Sequence, residues 1–242
     1  MYFDQQEYEV RLEWGLAGVE ALAPHSDVMI IVDVLSFTTC VDIAIGRGGV
    51  VYPYRGTAED LPEFAASRGA LYAAPNRAQQ SGFSLAPSSL VNLPHGTRLV
   101  LPSPNGSKLS LSTGNVPTLA GSLRNAKAVA HIARQFGTRI GVVAAGERWP
   151  DGSLRPALEA FLGAGAIIAH INGQRTRSPE AEVAMASFWH LQADLQGALL
   201  RCGSGKELVG RGFAEDVHLA AQLNASSTAP ILSNGAYQQV GS

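Results

Sequence analysis

The stretch Val28-Met-Ile-Ile-Val-Asp33-Val-Leu-Ser36-Phe-Thr38-Thr39 carries the most information about the fold of this chain. Its first five residues form an unbroken apolar run, which is typical of a parallel strand buried on both faces. Asp33 follows at the carboxyl end of that strand, where an apolar core has no use for a carboxylate. Ser36, Thr38 and Thr39 supply hydroxyl groups that favour the start of a helix.

A strand, an acidic residue and a hydroxyl-rich helix start are together typical of the ligand crevice of an open α/β sheet. The alternative is that Asp33 only caps the helix that follows it. Both interpretations stay open from this stretch alone, so the choice depends on which other residues the rest of the chain brings to this strand end.

Composition restricts the class of protein. The chain has 242 residues, of which 46% are hydrophobic and 16% are charged. These values predict a large buried core in a single α/β domain that covers residues 1–242. The net charge of −2 gives no electrostatic reason to expect binding to nucleic acid or to an anionic membrane surface. The sequence also lacks the run of about 18 apolar residues that a membrane-spanning helix requires.

Cysteine and histidine usage gives no sign of a disulfide framework or a zinc site. Cys40 and Cys202 are the two cysteines, and neither they nor the six histidines have a metal-ligand spacing. The first residues lack the basic segment and the apolar stretch of a signal peptide. We therefore expect a reduced, cytoplasmic protein.

Strand and helix patterns alternate along most of the chain. The early elements follow the order β-α-β-α-β, which predicts parallel pairing with right-handed crossovers. Residues 75–97 have no clear period, and such a long segment is expected to be functional or mobile. From about residue 178 the sequence becomes helix-rich, and the strong helix start at Ser178-Pro179-Glu180 predicts a helix that extends to Cys202. The predicted strands cover residues 8–14, 28–32, 50–54, 70–74, 98–101, 116–120, 139–145 and 229–232, and the other predicted helices cover 15–23, 37–47, 57–68, 108–113, 126–136, 155–171, 207–211 and 213–223.

Four strand-to-helix junctions carry similar polar residues. In a parallel sheet such junctions lie at the same edge, so we expect their carboxylates, amides, hydroxyls and helix N-termini to meet in one crevice. Helix N-termini favour phosphate or another anion. The junctions are Asp33 with Ser36, Thr38 and Thr39; Ser103 with Asn105 and Ser107; Gly121 with Ser122 and Asn125; and Gly146 with Glu147 and Asp151.

Asp33 and Glu147 are the candidate catalytic and metal-binding residues. Carboxylate oxygens are the ligands that Mg²⁺ takes while it keeps several waters. Together with an anion-binding crevice, they indicate phosphoryl chemistry assisted by a hard metal ion. Each piece also has a simpler interpretation: Asn105-Gly106 as a turn, Ser122 as a helix cap, and Glu147 as an exposed turn residue paired with the neighbouring arginine.

Five longer motifs occur together in this chain: Ile31-Val-Asp33-Val-Leu-Ser-Phe-Thr38-Thr39, Pro104-Asn105-Gly106-Ser107, Gly121-Ser122-Leu-Arg-Asn125-Ala126, Ala144-Ala-Gly146-Glu147 and Leu158-Glu159-Ala160-Phe-Leu-Gly-Ala164-Gly165. In their order and spacing the chain resembles the 2-phosphosulfolactate phosphatase family over most of residues 28–232. The resemblance implies a three-layer α/β/α fold with a mostly parallel sheet and extra C-terminal helices. It also implies a Mg²⁺-dependent phosphatase that acts on a small anionic phosphorylated substrate.

The resemblance also implies which residues form the site. Asp33 and Glu147 are expected to be catalytic and to hold the metal ion. The hydroxyl and amide side chains of the same motifs are expected to bind the substrate, and they are Ser36, Thr38, Thr39, Asn105, Ser107, Ser122 and Asn125.

Two single positions and two segments of the long loop, Ala74-Pro75-Asn76 and Ala86-Pro87-Ser88, depart from the family pattern. The family usually has an arginine where Ser36 stands and an acidic residue where Ala160 stands. An arginine holds a phosphate or sulfonate with two parallel hydrogen bonds, which a serine cannot do. Arg77, Arg124 and Arg148 are the candidates to replace the missing positive charge.

These observations leave three hypotheses. The first is a Mg²⁺-dependent phosphatase that hydrolyses a small anionic phosphoester. The second is a catalytically impaired family member that only binds a small anion, and the departures at Ser36 and Ala160 motivate it. The third is a structural or partner-binding role, which rests only on the apolar helices after residue 155. Those helices are expected to pack on the sheet or to form a homodimer.

Overall fold

The computed structural model describes residues 2–74, 77, 82–171 and 173–241. Within this part of the chain, nine strands form one mixed sheet and two short strands form a separate hairpin. The sheet strands are β1 (Val10–Trp14), β2 (Val28–Val32), β3 (Val50–Tyr54), β4 (Leu71–Tyr72), β5 (Arg98–Pro102), β6 (Thr118–Gly121), β7 (Ile140–Ala144), β10 (Pro230–Ser233) and β11 (Ala236–Gln239). The hairpin strands are β8 (Glu147–Arg148) and β9 (Leu154–Arg155).

Helices pack on both faces of the sheet. Along β2 the buried residues alternate: Ile30 and Val32 face the core built with α6 and α7, whereas Met29 and Ile31 face the core built with α1 and α5. The predicted three-layer α/β/α fold with extra C-terminal helices is therefore confirmed. The helices are α1 (Gly15–Leu22), α2 (Phe37–Gly46), α3 (Leu61–Ser67), α4 (Pro87–Leu90), α5 (Gly106–Ser110), α6 (Ala126–Phe136), α7 (Leu158–His170), α8 (Pro179–Leu191), α9 (Leu195–Arg201), α10 (Gly203–Gly210) and α11 (Ala214–Ala220).

The sheet consists of two parallel groups that run in opposite directions. Across the sheet the strand order is β1-β7-β2-β6-β10-β11-β3-β5-β4. The strands β1, β7, β2 and β6 pair in parallel, and so do β3, β5 and β4. The antiparallel hairpin of β10 and β11 joins the two groups. The sheet is thus mostly parallel, as the resemblance implied.

The early β-α-β-α-β segment was predicted to pair in parallel, but its strands are divided between the two groups. β2 does not pair with β3, because β6, β10 and β11 lie between them. The cause is the C-terminal hairpin, of which the sequence analysis found only the first strand. Asn234 and Gly235 form its turn with φ angles of 52° and 77°, and an Asn-Gly pair is the strongest local signal for such a turn.

The sheet bends so that its two halves approach each other. β2 is third and β5 is eighth in the strand order, so a flat sheet would separate them by about 24 Å. Yet the backbone N–H of Gly106, just after β5, lies 2.9 Å from Oδ2 of Asp33, just after β2. The helices α2 and α5 each contact strands of both groups, so they lie between the halves. The bend, and not a shared parallel edge, brings the junction after β5 to the other junctions.

The C-terminal helices differ from their predicted boundaries. The helix that starts at Ser178 begins as predicted, because the Ser178 side chain accepts a hydrogen bond from the N–H of Ala181. It ends at Leu191 and does not reach Cys202. Gly203 does not break a helix but begins α10, and the Cys202 Sγ accepts a hydrogen bond from the N–H of Gly205.

Two other local predictions need correction. The alternation of apolar and polar residues over 8–14 predicts a half-exposed strand, but the first three residues of β1 are buried because residues 176–178 bond along its outer side. The sequence also predicts Thr57 as the cap of the helix over 57–68, but its hydroxyl bonds with Asp60 in a turn before α3. Within the described ranges, no helix combines the length and the apolar character needed to cross a membrane.

Candidate active site

Three of the polar junctions meet in one small cavity of about 170 Å³. Asp33 enters it from the end of β2, Asn105 from the start of α5, and Glu147 from β8, which follows β7. We call this the catalytic cavity. Its lining residues are Asp33, Leu35, Ser36, Arg77, Leu85, Ser103, Pro104, Asn105, Glu147, Ser204, Glu207, Leu208 and Arg211.

Backbone contacts hold the Asp33 carboxylate in place. Its Oδ2 accepts a hydrogen bond of 2.9 Å from the N–H of Gly106, and its own N–H donates to Oγ1 of Thr38 at 3.0 Å. A Cβ atom at position 106 would lie 2.7 Å from the same Oδ2 and would clash with the Phe37 ring. Glycine is therefore the residue that lets the α5 backbone approach this carboxylate.

Asn105 orients the second carboxylate. Its Nδ2 donates a hydrogen bond of 3.0 Å to Oε2 of Glu147. Glu147 lies in the short hairpin of β8 and β9, which the sequence analysis had predicted as a loop. The backbone of the hairpin fixes the position of Glu147, and the amide of Asn105 fixes the direction of its side chain.

The two carboxylates are destabilised in their charged form. Burial raises the pKa of Asp33 to about 6, and the N–H of Gly106 opposes this rise. Burial also raises the pKa of Glu147 to about 7, and the nearby carboxylates of Asp33 and Glu159 raise it further. The opposite effect of Arg155 on the pKa of Glu147 is smaller than either. Negative charge at this site is thus only partly compensated by the protein itself.

Glu159 is an acidic residue that the sequence analysis did not assign to the site. It lies in the first turn of α7 and is only 2% exposed, and the thiol of Cys202 donates a weak hydrogen bond to its Oε2 at 3.4 Å. It does not line the catalytic cavity, but its charge raises the pKa of both carboxylates there. The available signal was an acidic residue within an otherwise apolar helix.

One of the three candidate arginines reaches the catalytic cavity. Arg77 donates hydrogen bonds of 3.1 Å to Oγ of Ser36 and to Oδ2 of Asp216, which is fully buried. Its guanidinium therefore lies beside the serine that stands in place of the family's usual arginine. Arg124 instead pairs with Asp42, and Arg148 donates to a carbonyl in its own hairpin.

Five of the predicted substrate-binding residues do not line the cavity. They are buried, and their side chains bond within their own junctions. The hydroxyls of Thr39 and Ser107 donate to the carbonyls of Val34 and Leu101. The remaining three are Thr38, which accepts from the Asp33 N–H, and Ser122 and Asn125, which bond to each other. Of the predicted substrate-binding residues, the structure brings only Ser36 and Asn105 to the cavity with Asp33 and Glu147.

The donor set at this cavity fits a hard metal ion. Among the described residues, no group of three or more His, Cys, Asp or Glu side chains is arranged to hold a metal. Mg²⁺, however, commonly uses only one or two carboxylates and keeps several waters. Asp33 and Glu147 offer two such carboxylates. Burial first, and neighbouring carboxylates second, raise the pKa of each, and a divalent cation would offset this cost.

Comparison with known proteins identifies the family. The chain belongs to a family of phosphatases, because a model of the 2-phosphosulpholactate phosphatase family matches residues 19–235. It is similar to the 2-phosphosulfolactate phosphatase of Methanothermobacter thermautotrophicus (strain Delta H). The two are 31% identical over 216 residues, which are 87% of this chain and 88% of that protein. The resemblance seen in the sequence motifs is thereby confirmed.

Proposed function

We propose that this protein is a Mg²⁺-dependent phosphatase that hydrolyses a small anionic phosphoester, like the 2-phosphosulfolactate phosphatase to which it is similar. The observation that carries the proposal is the meeting of Asp33, Glu147 and Arg77 in one cavity of about 170 Å³. Glu207 and Arg211, which also line the cavity, pair with each other. The carboxylates of Asp33 and Glu147 beside the Arg77 guanidinium suit a cation and a phosphoryl group together. The small volume suits a small substrate.

In this proposal Asp33 and Glu147 hold the metal ion. When bound, Mg²⁺ neutralises negative charge on the phosphoryl oxygens and so lowers the barrier to attack on phosphorus. The backbone N–H groups of Gly106 and Phe37 both donate to the Asp33 carboxylate and hold it in place. A fixed carboxylate needs no reorganisation when the substrate arrives.

Arg77 binds the phosphoryl group. Its contacts with Ser36 and Asp216 use one N–H on each terminal nitrogen. As far as the described residues show, the other three donors can bind the substrate's oxygens. Asp216 is a positioning residue, because it fixes the guanidinium without lining the cavity. Arg77 thus supplies the positive charge that Ser36 lacks.

Glu147 accepts the proton of the attacking water. Its Oε2 accepts a hydrogen bond from the amide of Asn105 and its Oε1 takes the proton, so Glu147 would hold the metal ion through a bound water and not directly. The bond from the water oxygen to phosphorus forms while the bond from phosphorus to the ester oxygen breaks. The proton then goes to the ester oxygen, and the products are an alcohol and inorganic phosphate.

A family member that binds an anion without hydrolysing it is the second candidate. The observation that favours it is Ala160, which stands where the family usually has an acid. Ala160 is 3% exposed and packs in an apolar cluster with Ala144 and Ala157. Because Asp33 and Glu147 still place two carboxylates at the cavity, we prefer the phosphatase.

Phosphate release separates the two candidates. We expect release from a panel of phosphorylated small hydroxy acids in the presence of Mg²⁺, and loss of release when EDTA is added. Restoring Mg²⁺ should restore the rate. No release from any member of the panel, together with calorimetric binding of the same compounds, would favour the anion-binding protein. Release that is unaffected by EDTA would contradict the role of the metal.

A further inference from the structure

A cavity of about 620 Å³ lies apart from the catalytic cavity, and the two share no lining residue. It is bordered by α6, by the last turn of α7 and by the segment 224–227. We call it the basic cavity, after its ionisable lining residues Lys127, His131, Arg134 and His170. A volume of several hundred Å³ is typical of sites that bind small molecules.

The basic cavity carries positive charge without a compensating carboxylate. None of the described residues that line it is acidic. Helix α6 supplies Lys127, His131 and Arg134 and contains no Asp or Glu, so its cations have no ion pair within the helix. The exposed ammonium group of Lys127 forms no ion pair and no side-chain hydrogen bond with another described residue. Such uncompensated charge favours an anionic ligand.

The half-buried guanidinium of Arg134 is only partly hydrogen-bonded. Its Nη2 lies 3.2 Å from Nδ1 of His131. Its Nε is buried and has no partner among the described residues. A guanidinium has five N–H donors, and a buried donor without an acceptor costs free energy. The oxygen atoms of a bound anion would supply acceptors for this side chain.

The hydrogen bonds of Asn224 fix the protonation of His170. Oδ1 of Asn224 accepts a hydrogen bond of 2.9 Å from the backbone N–H of Lys127, so Nδ2 is the end of the amide that faces His170. Nδ2 donates to Nε2 of His170 at 3.1 Å, which leaves the ring proton on Nδ1. Burial, followed by the charge of Lys127, lowers the pKa of His170 and favours this neutral form. His170 therefore adds an N–H donor and no negative charge.

The spacing of the cations indicates the shape of the ligand. Lys127 and Arg134 are seven residues apart on α6, so they lie on the same face and about 10 Å apart along the helix axis. Two small apolar residues, Ala128 and Ala225, also line the cavity. Two anionic groups at the ends of a short carbon chain match this arrangement better than a single ion does.

We propose that the basic cavity binds a small molecule with two phosphoryl groups, one held at Lys127 and the other at Arg134, with its carbon chain between them against Ala128 and Ala225. Phosphoryl oxygens suit both a guanidinium fork and an ammonium group. The ligand is bound there and not hydrolysed, because no carboxylate among the described lining residues serves as a base or a metal ligand. The site does not depend on the proposed phosphatase function.

Calorimetry in EDTA with hexane-1,6-bisphosphonate tests the site. The C–P bonds of this probe resist hydrolysis, and EDTA removes any cation from the catalytic cavity. We expect one molecule to bind per chain. Lys127→Met and Arg134→Met should each weaken binding about fivefold, because each removes one partly exposed ion pair.

Two further probes test the nature of the ligand. Hexylphosphonate keeps one phosphoryl group and should bind about tenfold more weakly than the bisphosphonate. Suberate has the same carbon chain between two carboxylates, and it should also bind more weakly, because each end carries less charge. Absence of bisphosphonate binding, or equal affinity for either of the other two probes, would overturn the assignment of a ligand with two phosphoryl groups.

Two control variants locate the ligand. Lys108→Met makes the same chemical change beside Asn105 and Glu147. Arg201→Met removes an exposed arginine of α9, which does not line the basic cavity. Both variants should keep the affinity for the bisphosphonate within about twofold. If Lys108→Met weakens binding as much as Lys127→Met does, the ligand lies near the catalytic cavity and the inference is overturned.

The ring of His170 provides a signal from inside the basic cavity. Its proton NMR resonance is assigned by its absence from His170→Gln. Saturating bisphosphonate should raise the pKa of His170, because the bound anion offsets the charge of Lys127, which lowers it. The other ionisable residues described in this cavity, His131 and Arg134, are basic and cannot cause such a rise. Calorimetric binding that leaves the titration of His170 unchanged would place the ligand elsewhere and overturn the inference, whether or not the protein releases phosphate from any ester.

Discussion

The junctions after β2 and β6 carry similar polar residues and use them in different ways. After β6, Asn125 accepts hydrogen bonds from the N–H and the hydroxyl of Ser122 and donates one to the carbonyl of Ala120. Every polar atom in that set bonds to another atom of the junction. After β2, Thr38 closes the loop in the same way, but Asp33 directs a carboxylate towards the catalytic cavity.

The difference shows how to separate structural from functional polar residues at strand ends. A buried hydroxyl or amide that is fully bonded lowers the free energy of the fold. A buried carboxylate whose pKa is raised to about 6 raises that free energy instead, because the folded state must desolvate its charge. A buried carboxylate that destabilises the fold and lines a cavity therefore indicates a functional residue. The junction after β6, in which the polar groups are hydrogen-bonded, indicates a structural role.

The largest effect expected from this comparison is on catalysis at the β2 junction. Asp33→Asn keeps the shape of the side chain and an oxygen to accept the N–H of Gly106, but it removes the charge that would hold a cation. We expect kcat to fall by about 10³-fold or more, equivalent to about 4 kcal/mol of transition-state stabilisation. The melting temperature should stay the same or rise. Steady-state phosphate release and thermal unfolding of the same sample measure both.

A matched control for this variant is Asp194→Asn, which makes the same change at an exposed helix cap. That variant should keep its kcat within about twofold. If Asp33→Asn retains full activity, Asp33 is not part of the mechanism, and the contrast between the two junctions has no functional meaning.

The second prediction concerns the β6 junction, where we expect a substitution to lower stability and to leave catalysis nearly unchanged. Asn125→Ala leaves the N–H and hydroxyl of Ser122 and the carbonyl of Ala120 without partners in a fully buried place. We expect the free energy of unfolding to fall by roughly 2–4 kcal/mol. The kcat per folded molecule should change less than about threefold, because Asn125 does not line the catalytic cavity. Urea denaturation and activity, corrected for the folded fraction, provide the two values.

Asn115→Ala is the control for that prediction, because Asn115 is exposed in a turn. It should cost less than about 0.5 kcal/mol. A loss of kcat in Asn125→Ala without a loss of stability would show that Asn125 acts on the substrate, as the sequence analysis expected, and that the junction after β6 is functional after all.

Local elements were predicted well where the pattern was short-range. The bounds of β2 and α6 agree with the structure, because an apolar run and a 3.6-residue period are properties of the segments themselves. The strand order was not predictable in this way. It depends on β10 and β11, which insert between strands more than 100 residues earlier in the chain, and no local pattern records such a pairing.

Prediction of the candidate site was limited in the same way, because local patterns do not record contacts between distant residues. The sequence located Asp33, Asn105 and Glu147, because polar residues after buried strands are visible locally. It could not show that Arg77 reaches Ser36. The two residues are 41 positions apart, and Arg77 lies in the segment 75–97, which has no clear period. The roles of the site residues, the metal, the homodimer and the cytoplasmic location stay predictions.

The smallest predicted effect is a pH dependence of the free energy of unfolding, and its sign follows from the direction of the pKa shift of Glu147. The pKa of Glu147 is raised from 4.5 to about 7 in the folded protein, mainly by burial. Folding therefore favours the protonated form. The contribution of protonated Glu147 to the free energy of unfolding is fully present below about pH 4.5, and it is lost as the pH rises through about 7. Glu147→Gln carries no charge at any pH, so it should avoid this loss.

In EDTA, we expect Glu147→Gln and the wild-type protein to have nearly equal free energies of unfolding at pH 4.5. At pH 8 the variant should be more stable by about 2 kcal/mol, after allowance for partial solvent screening of Glu147. Urea denaturation at several pH values measures the difference, and saturating Mg²⁺ should narrow it at pH 8, because a bound cation stabilises the ionised wild-type carboxylate.

The loss in free energy of unfolding in Asn125→Ala should instead be the same at pH 4.5 and pH 8, because the groups it leaves unpaired do not ionise. A pH-independent difference for Glu147→Gln would mean that the charge of Glu147 costs the fold nothing, and it would remove the argument for a cation between the carboxylates.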